Sequence, residues 1–408
     1  DTYTPAEYPL FKELIRHTVE SLNSSVAYTS DPKLFKSKPA ARRPAAKPAK
    51  TGMEAALSAL LPGLDDGKLT AAQARKLEAK VIAEPDDTES RIRLLRHYMS
   101  YDVRETPALV RARTVHRLWF IRNRPEMSAT AVYGFFGRSD ADQSPEYAAL
   151  RDEWIKQIEV NKAKKAIRLN AFEFVKDLEP TLAKQLMKDG MAADAGAYEY
   201  PFQLARIVRT ELDDLNKKLT ADERAALNRE VLGLGRTALA LITKERSEER
   251  DTNRGELTIN MCRAALDTGD LAFAEVLGRD LVVEFGNEIG DSAYSQAAHI
   301  GNIALGMAEL SRGKTAKAAE HLLTSIRAPL RKSEGHFTGI DFRLAKELFR
   351  KGEHKAVIEF LKQNLDLESF KEEPEVYKTR IDAIRTWISQ AEKGIEPSFD
   401  FEKTAAKK

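Results

Sequence analysis

The six residues RGKTAK at 312–317 carry the Gly-Lys-Thr end of a phosphate-binding loop. Such a loop cradles phosphate with backbone N–H groups and needs a second glycine five residues upstream; that position is Ala308, and no strand precedes it. GLGRTA at 233–238 copies part of a dinucleotide fingerprint, yet RAALNREVL before it reads as helix. The seven histidines show neither HExxH nor another close ligand spacing, and no GxSxG elbow is present. The single cysteine, Cys262 in LTINMCRAAL, excludes an intrachain disulfide and a cysteine-cluster metal site, and reads as a small apolar core residue. Carboxylates are abundant, but on helices this charged they read as solvated or paired at i, i+4. These residues predict no catalytic centre, no cofactor and no metal. The polar pair that most invites a role is His299 and Asn302, three apart in AAHIGNIALG, placed on one helix face to hydrogen-bond across a hairpin or to meet a partner.

The elements that would position such residues are helical. The chain has 408 residues, enough for two or three compact domains or for one elongated array whose units pack on their neighbours. Hydrophobic residues make up 42%, which supports a core, and charged residues 31%, above the usual quarter. A formal charge of +2 offers no general attraction to nucleic acid or anionic membrane. No apolar run approaches the ~20 residues that span a bilayer. The sequence begins at Asp1 without a methionine, as expected of a trimmed chain or of a mature form that has lost a signal peptide.

Residues 1–30 read as an amphipathic docking helix, with Phe11, Leu14, Ile15, Val19 and Leu22 on one stripe. Residues 31–52 read as a linker rich in Pro, Ala and Lys, expected to extend about 3.1 Å per residue. It reads as a solvated tether, with contact to phosphate or anionic lipid as the alternative. From Leu69 onward helix follows helix. Thr70 is the expected N-cap of the first, and Pro85, Asp86 and Asp87 lead into another near Thr88. One irregular stretch, AVYGFFGRSDADQSP at 131–145, is expected to pack Tyr133, Phe135 and Phe136 beneath itself. Trp119, Trp154 and Trp387 sit in amphipathic stripes and are expected in the core.

Three stretches share one pattern. ALDTGDLAFAEVLGRDL (265–281), LGMAELSRGKTAKAAEHLLTS (305–325) and LAKELFRKGEHKAVIEFLKQN (344–364) each end a helix at a glycine, Gly269, Gly313 and Gly352. Five residues after each glycine stands a small or branched residue, Ala274, Ala318 and Val357, that lets two helices approach. The glycines are 44 and 39 residues apart, a period of stacked helical hairpins. A degenerate copy runs from Asn170 to Val208, with Ala183 in the small-residue place and 34 residues from Asn170 to Leu204.

The chain resembles bacterial tetratricopeptide-like (TPR-like) repeat proteins. The residues that carry the likeness are PDDTESRIRLLRHY (85–98), LWFIRNRPE (118–126), HIGNIALGMAELSRG (299–313), HLLTS (321–325) and RLAKELFRKGE (343–353), over roughly 65–398. It departs from that pattern at HFTGID (336–341), where relatives carry SFGPN, and in the heavily charged LITKERSEERDTNRGEL (241–257). The resemblance implies an interaction scaffold, often exported, and no catalytic site.

The expected fold is therefore all-α, an α-solenoid of stacked antiparallel hairpins in a TPR-like right-handed superhelix. The expected organisation is a docking helix at 1–30, the linker at 31–52, a repeat domain at 53–398 and a tail at 399–408. The expected role is non-catalytic protein binding as a scaffold or accessory subunit of a larger multi-protein or membrane-associated assembly, through Phe11, Leu14, Ile15, Tyr98, Asn170, His299 and Asn302, with nucleic acid not expected as a partner. Two rivals stay open: a helical enzyme or catalytic accessory, and attachment to nucleic acid or membrane through the linker. The expected compartment is extracytoplasmic, with the cytoplasm as the alternative.

Overall fold

The computed structural model describes residues 69–98, 106–127, 145–214, 218–242, 248–285, 292–326, 340–366 and 377–401. Among these residues there are fifteen α-helices and no strand. The described helices fall into two compact units, Asp1–Gly190 and Met191–Lys408.

The first unit contains α1 (Ala71–Ala83), α2 (Thr88–Tyr98), α3 (Pro107–Asn123), α4 (Pro145–Val160), α5 (Lys165–Val175) and the greater part of α6 (Pro180–Ala193). Its helix starts follow local chemistry. Thr70 Oγ1 accepts the Gln73 N–H at 3.2 Å while Gln73 Oε1 accepts the Thr70 N–H at 2.8 Å, so two otherwise orphaned donors are satisfied reciprocally. Asp87, just before α2, accepts the Ser90 N–H at 3.0 Å. Thr106 caps α3, whose first residue is Pro107, a position that needs no N–H. Helices α1 to α5 pack each on the next. Ile92 and Leu95 bury against Trp119 and Phe120, while Ala74, Val81, Leu94, Tyr98, Leu109 and Ala112 form a neighbouring cluster.

The second unit contains α7 (Glu199–Asp213), α8 (Ala221–Ile242), α9 (Glu248–Thr268), α10 (Leu271–Asp280), a π-helical continuation at Leu281–Phe285, α11 (Ser292–Ser311), α12 (Thr315–Ile326), α13 (Arg343–Arg350), α14 (His354–Leu365) and α15 (Lys378–Glu392). Helices pack on their successors, and the first helix of each hairpin also packs on the first helix of the next: α7 on α9, α9 on α11, α11 on α13. This is solenoid-like stacking, with one apolar core running from Tyr198 to Ala391.

The matched turns are identical in hydrogen bonding. Gly269, Gly313 and Gly352 take φ of 76°, 75° and 87°, and Gly394 repeats this at 71° after α15. In each turn the glycine N–H reaches back three residues and the next N–H reaches back five, as in Asp270 to Ala265 at 2.9 Å and Lys314 to Glu309 at 3.0 Å. That pair of bonds satisfies the last carbonyls of the helix and requires a left-handed residue, which explains the glycine. Ala274, Ala318 and Val357 are fully buried at the hairpin contacts.

Helices α10 and α11 approach closely, backbone against backbone, at Gly278 and Gly301. A Cβ on Gly301 would lie 2.8 Å from the Gly278 carbonyl oxygen and 2.9 Å from Val282 Cγ2. Gly301→Ala is therefore expected to cost about 1–3 kcal/mol in urea unfolding, because backbone cannot yield as a side chain can. Gly233→Ala in α8, where a Cβ meets nothing within 4 Å, should instead gain about 0.5–1 kcal/mol. Equal effects at the two positions would contradict this packing account.

The tail predicted from residue 399 is packed over its first residues. Phe399 and Phe401 lie against Trp387 at ring-centroid distances of 5.7 and 4.8 Å, and against Phe342 at 6.2 and 5.8 Å.

Candidate functional site

Each unit holds a network of ionisable side chains, and the two differ in their access to water. In the first unit, Glu78 of α1 stands on the apolar stripe between Ala74 and Val81, and Arg91 of α2 and His116 of α3 occupy buried positions facing it. His116 Nε2 lies 3.0 Å from Glu78 Oε1, and the Tyr98 hydroxyl donates to the same oxygen at 2.5 Å. Arg91 Nη1 lies 3.2 Å from His116 Nδ1. A guanidinium can only donate, so Nδ1 is the acceptor and the ring carries its proton on Nε2, directed at Glu78. His116 is then a neutral bridge between a buried cation and a buried anion. Burial pushes the Glu78 carboxyl up, but His116, Tyr98 and Arg91 outweigh it and hold it below its ordinary value. Burial and the Glu78 charge push the Tyr98 phenol up. Arg91 also donates to the Pro85 carbonyl at 2.9 and 3.1 Å and lies 4.3 Å over the Trp119 ring. A carboxylate orienting a histidine is the arrangement that activates nucleophiles. Here both ring nitrogens are occupied and the group is sealed, so it ties three helices together.

The second network lies along the first helices of the Met191–Lys408 unit. Arg209 of α7 pairs with Asp213 and, at 3.1 Å, with Asp267 of α9. Asp267 also holds Arg343 of α13 at 2.8 Å. Arg343 in turn chelates Asp341, whose carboxylate accepts its Nε at 2.8 Å and its backbone N–H at 2.9 Å. Charge thus alternates along a ladder that joins α7, α9 and α13. The side chains of Arg209, Asp267, Arg343 and Asp341 keep 12–28% exposure, so the ladder meets solvent. Burial pushes the Asp341 carboxyl up, yet Arg343 prevails and holds it below its ordinary value. Burial works against the charge on Arg343, but Asp341 and Asp267 raise its affinity for the proton. Burial, then the neighbouring charge of Arg209, lowers that of Arg263. The more exposed pair Arg206 and Glu256, at 2.8 Å, adds a second rung between α7 and α9.

His299 of α11 anchors this ladder from inside. Its Nε2 accepts the Asp341 N–H at 2.9 Å, and the backbone of Ser325 is the ring's other partner. Burial, with Arg263 adding to it, pushes its pKa down to about 4, despite the opposing carboxylate of Asp341. A histidine that charges less readily when folded contributes stability that is complete above its ordinary value of 6.5 and declines as pH falls towards 4. We expect about 3 kcal/mol of the unit's stability to be lost across that window, read as a urea midpoint against pH. His299→Gln should flatten this part of the curve; an unchanged slope would contradict it. Burial also pushes the Cys262 thiol up to about 12, which removes thiolate reactivity.

The structure places the predicted partner-contacting residues as follows. Phe11, Leu14 and Ile15 lie outside the described residues, as does the aromatic stretch at 131–144. Tyr98, Asn170, His299 and Asn302 are all buried and not presented to a partner in this conformation. Asn170 donates to the carbonyls of Pro125 at 2.8 Å and Met127 at 3.1 Å, pinning the turn after α3. Asn302 bonds across its hairpin, with its Oδ1 3.0 Å from His321 Nδ1. His299 reaches α13's entry instead, so the two share a helix but not a partner. The tryptophans are core residues, as predicted. GLGRTA lies inside α8, where no phosphate loop can form.

Sequence reasoning passed over Glu78, Arg91, His116, Asp267 and Arg343. For the first three a signal existed: charged or polar types on stripes otherwise apolar, Glu78 between Ala74 and Val81 and His116 between Ala112 and Trp119. The ladder left no such trace, since its residues occupy positions where surface charge is ordinary. Among the described residues no cluster of three or more His, Cys, Asp or Glu has a metal-binding arrangement, and no helix is long and apolar enough to cross a membrane. No protein-family model matches the chain and no curated protein is significantly similar to it, so the site is defined by its own geometry.

Proposed function

We propose that the chain is a non-catalytic protein-binding scaffold of tetratricopeptide-like hairpins, acting within a larger assembly. The observation that carries this reading is the row of first helices α7, α9, α11 and α13, which repeated glycine turns hold side by side and which bears a partly exposed, charge-alternating ladder. Such a face suits an extended or helical segment of a partner, recognised by charge pattern as well as shape. The potential acid–base groups spend their bonds on one another, which favours recognition over chemistry. On the bacterial resemblance we assign it to an extracytoplasmic compartment.

The test is affinity purification from the native organism with the intact chain, with Arg206→Ala Glu256→Ala, and with residues 1–50 removed. The Arg206–Glu256 pair is 37% and 41% exposed, so its loss should cost little stability. A partner held by the intact chain and weakened by the double substitution supports the reading. Recovery of the protein alone under mild conditions, or a partner indifferent to both changes, overturns it.

A further inference from the structure

The segment 394–401 after α15 does more than cover apolar surface. Phe399 has a φ of 50°, the one positive value outside glycine among the described residues, an unfavourable conformation for a phenylalanine. It is held by docking on both sides: Glu396 pairs with Arg350 at 2.9 Å, Phe399 and Phe401 pack on Trp387 and Phe342, and the Arg380 guanidinium lies 5.6 Å over Phe401. Phe342 is the key contact. It stands between Asp341, whose N–H is fixed by His299, and Arg343, which reaches Asp267 on α9, two hairpins earlier. Phe342 also packs edge-on against Trp387 at 5.1 Å and Phe360 at 5.9 Å, so the position of its ring sets the corner on which both ladder residues ride.

We propose that residues 394–401 are a latch for the ionic ladder: docked, they lock the Asp341–Arg343 corner onto α9 and His299; undocked, they release Phe342 and open the ladder. A segment that stores backbone strain and is fastened by aromatic contacts and an exposed ion pair can let go without unfolding the hairpins beneath it. Nothing in this coupling depends on what the unit binds.

Cys262 supplies the test, because it is the chain's single cysteine, is fully buried on α9, and lies close enough to Arg343, Asp341 and Arg263 for their charges to act on it. Reaction of the full chain with a disulfide reagent such as dithionitrobenzoate should be slow. With Phe399→Ala and Phe401→Ala together it should accelerate at least about ten-fold, at a rate insensitive to low urea, and amide exchange at residues 340–343 should rise in parallel. Phe401→Leu, a milder change suited to the case where the double variant fails to fold, should show the same direction at smaller size. Val231→Ala, in the same core but remote in sequence from the latch, is the control for general destabilisation. Labelling that is unchanged, that rises with urea as global unfolding does, or that rises equally in the control at matched stability would overturn the latch.

Discussion

Glu78→Leu is expected to destabilise the first unit by about 3–5 kcal/mol, the largest loss foreseen from one substitution in that unit. The reason is the charge left behind. Arg91 is 1% exposed, and with Glu78 gone its guanidinium remains buried beside a neutral imidazole. Removing one member of a buried ion pair costs more than the pair itself contributes, because the remaining charge keeps its desolvation penalty. Tyr98 and His116 would each lose their acceptor as well. Glu78→Gln should cost less, since an amide oxygen still accepts one of these hydrogen bonds. Glu78→Leu combined with Arg91→Met should recover part of the loss, a non-additivity that follows from removing both charges. Urea unfolding followed by tryptophan fluorescence is the measurement. Strict additivity would mean that the two charges do not interact through His116.

Trp387→Ala is expected to cost about 3–5 kcal/mol in the second unit. The indole is fully buried and is the common neighbour of Phe342, Phe399 and Phe401, so its loss opens a cavity lined by three rings that cannot all move inward. Part of the collapse should appear at a distance. Phe342 loses its edge-on support, and the Asp341 amide should exchange faster than amides of α8 and α9 in the same variant. Trp387→Phe retains an aromatic ring in the site and should lie between the two. A loss below about 1 kcal/mol for the alanine variant would show that this end of the unit is far more loosely packed than described.

The glycine turns were legible from local sequence because the chemistry is local. A left-handed residue that ends a helix is almost obliged to be glycine, and a spacing of five to a small residue reflects one helical turn past the corner. Gly269, Gly313 and Gly352 were identified on that ground, and Gly394 uses the same turn without a following helix of comparable length in the described residues. The tryptophan stripes and the Thr70 cap were legible for the same reason. His299 stands out in the sequence as a polar residue three before Asn302, but its partner does not, because Asp341 is 42 residues away and belongs to the next hairpin.

By itself, then, the amino-acid sequence determined the all-helical class, the turn residues and the core tryptophans, which follow from preferences acting within about ten residues of chain, and the recurrence of those turns every 39 to 44 residues gave the hairpin period. Tertiary structure alone decided that the helices form two units and that Tyr98, Asn170, His299 and Asn302 are spent inside. It also decided that Arg209, Asp267, Arg343 and Asp341 meet across three helices. A charged residue on a helix looks the same in sequence whether it faces water or an opposite charge dozens of residues away; only the stacking of the hairpins brings the partner within reach and sets which of the two it is.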